Sequence, residues 1–167
     1  MKNNILYIVL IFALCFGFKA QAQNIIGYHT KLDNLSSEQA DQLIHLVNGP
    51  STTIFVTEQN EADIFKGNTT QVAIMKITQS SDFDKLAQHF EKQMNEVVVL
   101  DIEWDGQEEL VMPDGLLEQM PNLKYIYIRS NEVLNTSVIQ NRFSNLINKL
   151  NGYTNVEVLY YTMEQPS

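Results

Sequence analysis

Apolar residues recur along this chain in two rhythms. Short runs such as "VAIMKI", "VVVLDI", "LKYIYI" and "VEVLYY" have the length and β-branched content of strands. Between them, apolar residues return every three or four positions, the spacing of one helix face. "SSDFDKLAQHFEKQMN" puts Phe83, Leu86, Ala87, Phe90 and Met94 on one stripe, with Ser81 or Asp82 as N-cap. "NTSVIQNRFSNLINKLNGY" does the same with Val138, Ile139, Phe143, Leu146, Ile147 and Leu150, and closes at Gly152. A shorter helical turn fits Asp114 to Met120. Near the start, "LSSEQADQLIHLVNG" pairs Ser36 with Gln39 in capping-box spacing and stops at Gly49. The predicted order is α-β-(loop)-β-α-β-α-β-α-β, and every crossover is long enough for parallel strand pairing.

The strand runs share a frame. Leu123, Ile126, Ile128, Asn131 and Leu134 spell L-x-x-L-x-L-x-x-N-x-x-L. Val97, Leu100, Ile102 and Asp105 fit the same spacing, as do Val72, Met75, Ile77 and Ser80. Val156, Leu159, Tyr161 and Glu164 fit again, with a weaker copy at Ser51, Ile54, Val56 and Gln59. The frame starts at 51, 72, 97, 123 and 156, so its steps are 21, 25, 26 and 33 residues. On these residues the chain resembles the leucine-rich-repeat family. The resemblance implies an α/β fold: a short solenoid of about five parallel strands with helices on one face. Residues 51–167 would form that domain, and residues 23–50 a helical cap over its open end.

The frame also departs from the family. Val, Ile, Met or Tyr often replace leucine, and asparagine fills the ladder position only at Asn131. That asparagine normally bonds loop backbone groups that would otherwise be buried unpaired. A compact α/β sheet with helices on one face fits the same pattern. So does a doubly wound sheet, because strands such as "VAIMKI" and "VVVL" are apolar on both faces.

Charge and the first residues narrow the functional classes. Residues 1–22 read as a secretory signal peptide: Lys2, an apolar run from Ile5 to Phe18, then Ala20-Gln21-Ala22. Export, to the periplasm or beyond the cell, is the expectation. Removing this leader takes away Lys2 and Lys19 and moves the net charge from −9 to −11. Such a chain repels nucleic acid and anionic membrane surfaces. The only cysteine, Cys15, lies in the leader, which leaves no disulfide and no thiol nucleophile.

Candidate chemistry concentrates on the strands. Alternate strand residues face the same way. With Ile54, Met75, Leu100, Ile126 and Leu159 facing the core, the opposite row reads Phe55, Lys76, Asp101, Tyr127 and Tyr160. Tyr125 lies one row before it, and Glu103 and Arg129 one row beyond. Asp101 then sits between Lys76 and Tyr127, and Glu103 beside Arg129. Tyrosine and arginine are enriched at recognition hot spots. The expected site is therefore an open binding face formed by Asp101, Glu103, Tyr125, Tyr127, Arg129 and Tyr160, for a protein or peptide partner or a glycan.

"LDIE" also resembles the D-x-E of lysozyme-like and chitinase-like glycoside hydrolases. Asp101 and Glu103 would then be nucleophile or stabiliser and general acid. Their usual barrel needs about 250 residues, more than this chain supplies, and no second strand offers an acid partner. No catalytic residue is therefore assigned, and a purely structural domain with no discrete site is the other alternative to the binding module. His29, His45 and His89 are scattered without ligand spacing, so no metal is expected. The acids from Asp101 to Glu109 lack the glycine-centred loop of an EF-hand. G-x-S-x-G, Walker A and G-x-G-x-x-G are all missing, and no cofactor is expected.

Overall fold

A computed structural model describes residues 24–164; the proposed leader lies outside the described residues. The chain forms an α/β fold around one seven-stranded sheet. In chain order the elements are β1 (Ile25–Gly27), α1 (Tyr28–Asp33), α2 (Ser37–Asn48), β2 (Thr53–Val56), β3 (Ala62–Phe65) and β4 (Ile74–Ile77). Then come α3 (Ser81–Met94), β5 (Val99–Trp104), a 3-10 turn (Leu117–Gln119), β6 (Tyr125–Ser130), α4 (Thr136–Arg142), α5 (Ser144–Lys149) and β7 (Glu157–Thr162). Strands lie in the order β1-β7-β6-β5-β4-β2-β3, and every pairing is parallel except β2 with β3.

Local signals form the expected elements. Ser36 Oγ accepts from the Gln39 backbone N–H while the Ser36 N–H donates to Gln39 Oε1, which completes the capping box of α2. Gly49 ends that helix without a left-handed turn. A Cβ there would lie 2.2 Å from the His45 carbonyl oxygen, so only glycine fits the approach. The α3 stripe buries Phe83, Leu86 and Met94. The long C-terminal helical pattern breaks at Phe143 into α4 and α5, and Asn135 Oδ1 caps α4 by accepting from Val138 N–H.

Three of the four frame steps appear unchanged in the sheet. Thr53 pairs with Ile74, Ile74 with Val99, and Val99 with Tyr125, offsets of 21, 25 and 26 residues. The last step differs by one: Tyr125 pairs with Glu157, and Tyr127 with Leu159 rather than Tyr160. A one-residue slip exchanges the two faces of a strand. Leu159 therefore joins the Tyr127 face, and Tyr160 turns to the opposite one. Two strands lie outside the expected set of about five: β1 within the predicted cap, and β3 in the predicted loop.

The sheet is covered on both faces, not one. The first core holds Ile54, Met75, Ile77, Leu100, Ile102, Ile126, Ile128 and Val158 against α3, the 3-10 turn, α4 and α5. The second holds Ile74, Val99, Tyr127 and Leu159 against Tyr28 of α1 and Leu43 of α2. The predicted N-terminal cap thus lies across the sheet rather than over the end of a stack. Topology gives the reason. Right-handed crossovers keep their helices on one face only while the chain travels one way across the sheet. From β4 to β7 it moves one way; from β1 to β2 it moves the other, so α1 and α2 belong on the opposite face.

Candidate functional site

Parallel pairing aligns Lys76, Asp101, Tyr127 and Leu159 in one row. Glu103, Arg129 and Tyr161 form the next row toward the carboxyl ends of the strands. Side chains from both rows meet in a four-membered ion network. Arg129 Nε donates to Asp101 Oδ1 and Nη2 to Asp101 Oδ2, each at 2.9 Å. Nη2 also reaches Glu103 Oε2 at 3.3 Å, and the Lys76 ammonium lies 2.7 Å from the same oxygen. Two acids and two bases cancel; the Arg129–Asp101 and Lys76–Glu103 contacts run diagonally between rows, while Arg129–Glu103 runs straight across one.

Burial separates the two acids. Asp101 is 8% exposed, and burial pushes its carboxyl above the ordinary range although Arg129 pulls it down. Glu103 is half-buried, and the Lys76 ammonium holds its carboxyl below the ordinary range. Burial works against the Arg129 charge, but Asp101 and Glu103 outweigh it and keep the guanidinium firmly protonated. The guanidinium also stands 5.9 Å from the centre of the Tyr127 ring.

Tyr127 itself is 2% exposed. Its ring packs against Tyr28, centroids 5.1 Å apart, and burial and Tyr28 raise its phenol well above the usual range. The Tyr28 hydroxyl in turn accepts from Asn48 Nδ2 at 3.1 Å, which ties α1 to the end of α2.

The six expected residues therefore divide. Asp101, Glu103, Arg129 and Tyr127 come together, but Tyr127 and Asp101 lie beneath the surface. Tyr125 is half-buried in the second core. Tyr160, on the other face, has its hydroxyl 3.4 Å from Thr136 Oγ1. The sheet face is not open: α1 and α2 cover its amino-terminal rows. What reaches solvent is a strip at the carboxyl ends of the strands, where Lys76, Glu103, Arg129 and Tyr161 are half-buried and His29 is exposed.

Tyr28, His29 and Tyr161 escape the sequence reading. Tyr161 follows from the correct β7 register, for which "VEVLYYT" carries no alternation because both of its faces are apolar. Tyr28, buried beneath the strip, and His29, exposed on it, reach Tyr161 only because β1 pairs with β7.

The acidic loop after β5 is braced rather than free. Asp105 Oδ1 accepts from the Gln107 and Glu108 N–H groups, at 2.8 and 3.2 Å, and these bonds hold its carboxyl below the usual range. The Trp104 indole N–H donates to the Glu108 carbonyl, while its ring meets Phe143 edge to face. A cleft of about 420 Å³ opens here between Gln79, Glu103, Glu108 and Asn131. Asn131, the ladder position of the repeat frame, is exposed at this cleft; Ser130 is the buried neighbour, its Oγ accepting from Glu132 N–H at 3.0 Å. Among the described residues no three His, Cys, Asp or Glu side chains converge as metal ligands, and no helix is long and apolar enough to cross a membrane. No protein-family model matches the chain, and no curated protein and no solved structure matches it either.

Proposed function

We propose that this chain is an exported, non-enzymatic binding protein that recognises a protein or peptide, with a glycan as the second ligand class. Its contact surface is the strip of Lys76, Glu103, Arg129, Tyr161 and His29, narrower than the whole sheet face. The observation that carries the reading is the ion network. It fixes charged side chains on adjacent strands at half exposure, so that little conformational entropy remains to be lost on binding. The parallel order β2-β4-β5-β6, with three offsets shared with the frame, supports descent from leucine-rich-repeat-like units. A periplasmic immunity or inhibitor protein is the concrete form we favour, since small size and strong negative charge suit a basic target. Export rests on the leader sequence.

The same network argues against the hydrolase alternative. A general acid needs a transferable proton and a nucleophile needs an unoccupied oxygen. Both Asp101 oxygens are engaged by Arg129, which leaves none free for attack, and the Lys76 ammonium holds the Glu103 carboxyl below the ordinary range, which leaves it no proton to give as the acid.

Comparative capture from periplasmic extract tests the binding reading. Wild type and the His29→Ala and Glu103→Gln variants, each checked for folding by circular dichroism, are immobilised side by side. A partner held by wild type and lost from both variants supports the strip; equal capture by all three removes it. Activity on a glycan panel that disappears in Asp101→Asn would overturn the non-enzymatic assignment.

A further inference from the structure

Strand β1 stops opposite Tyr160, whereas β7 continues to Thr162. The shortfall leaves a notch at the sheet edge, a cavity of about 330 Å³ whose walls include Tyr28, His29, Tyr160, Tyr161 and Glu164. Three of these rings stand steeply to one another. Tyr28 and His29 meet at 56°, Tyr28 and Tyr161 at 70°, and His29 and Tyr161 at 74°, with centroids 5.4 to 6.2 Å apart. Together they make a corner. Tyr160, next in sequence to Tyr161 but on the other side of β7, closes a further wall.

Aromatic faces carry negative quadrupole potential, and several faces at steep angles suit a compact, rounded cation. A flat pyranose ring needs instead one broad exposed ring to lie on, which this corner does not offer. Glu164, exposed at the cavity, adds a carboxylate. The chain's net charge of −9 draws cations and repels anions. Cations on the adjoining elements are already matched: Lys31 lies 2.5 Å from Glu157, and Arg129 is held by Asp101 and Glu103. The volume lies at the small end of the range for ligand pockets, roughly 300 Å³ and upward.

We propose that this aromatic corner binds an organic ammonium cation, seated on the faces of Tyr161 and His29 and neutralised by Glu164. The site is separate from the ion network, and binding there needs no partner protein. The corner shares Tyr161 and His29 with the strip, so the two are told apart by Glu103→Gln, which touches only the strip, by Glu164→Gln, which touches only the corner, and by titration with small probes in the absence of any partner.

Calorimetric titration of the purified protein tests the assignment with three probes. Choline presents a free quaternary ammonium, a peptide bearing trimethyllysine presents the same group on a protein, and 3,3-dimethylbutan-1-ol replaces the charged nitrogen of choline by carbon. Saturable binding of choline or the peptide, roughly tenfold tighter than the alcohol, is the expected result, and the tighter of the two charged probes names the source. Tyr161→Leu should weaken it roughly tenfold while Tyr161→Phe, which keeps the ring, retains it. His29→Ala, at an exposed position where folding is not at stake, should weaken it several-fold, and so should Glu164→Gln. Equal affinity for choline and its neutral isostere, no saturable binding of either charged probe, or undiminished binding in folded His29→Ala and Tyr161→Leu overturns the proposal.

Discussion

Arg129 grips both carboxylate oxygens of Asp101, Nε to Oδ1 and Nη2 to Oδ2, at 2.9 Å each. This bidentate pair joins neighbouring strands beneath the surface. Arginine suits it because its rigid fork matches a carboxylate, which a lysine ammonium does not.

Removing one partner should therefore harm folding before it harms recognition. Arg129→Ala leaves Asp101 buried and unpaired, and we expect a loss of about 2–3 kcal/mol, less than for a fully buried pair because the guanidinium is partly solvated. Arg129→Lys should fall between the two. Adding Asp101→Asn to Arg129→Ala should recover part of the loss by removing the stranded charge. Urea denaturation of the three variants reads this out, and an unchanged midpoint for Arg129→Ala would show that the pair contributes little.

Asp101 and Glu103 should respond to pH in opposite senses. The Asp101 carboxyl is raised on folding, so its contribution is fully present below the unfolded value and is lost as pH rises through the folded one. The Glu103 carboxyl is lowered, so its contribution is present above the unfolded value and is lost as pH falls through the folded one. Asp101→Asn should therefore be least harmful toward neutral pH, and Glu103→Gln should flatten the loss of stability on acidification. Denaturation curves from about pH 3 to 7, spanning the ordinary carboxyl range, together with carboxyl-carbon NMR titration, check both signs.

Tyr28 pins the N-terminal helices to the sheet. Tyr28→Phe keeps the packing on Tyr127 but loses the Asn48 bond, and should cost about 1 kcal/mol. Tyr28→Ala removes the ring and should cost about 3 kcal/mol or more. It should also raise hydrophobic-dye binding as the second core becomes accessible. Thermal unfolding with dye fluorescence separates the two variants.

Gly49→Ala isolates a close backbone approach. With φ at −80° the position carries no left-handed strain, so any effect comes from the Cβ placed 2.2 Å from the His45 carbonyl. We expect a loss of about 1–3 kcal/mol by chemical denaturation. A neutral result would mean that the end of α2 shifts freely.

Recognition and stability are thus entangled on this face. Tyr127→Ala and Arg129→Ala, natural probes of an open sheet surface, instead strike the second core and its ion pair. His29 and Glu164, exposed and outside both cores, are the cleaner probes of binding.

The chain by itself determined what depends on neighbours near in sequence. The Ser36 and Gln39 capping box, the Phe83–Met94 stripe, the strands beginning near Thr53, Ile74, Val99 and Tyr125, and their offsets were all legible, because each rests on local periodicity or a shared frame. Pairing of Asp101 with Lys76 and Tyr127, and of Glu103 with Arg129, followed from those offsets. Tertiary structure alone decided the remainder. The β7 register slips by one because both faces of that strand are apolar, and alternation cannot say which side is inside. The second helical layer follows from where β1 pairs, a contact between the two ends of the described chain that no local pattern encodes. That single long-range pairing buries Tyr127, narrows the open face to a strip, and brings Tyr28 and His29 against Tyr161.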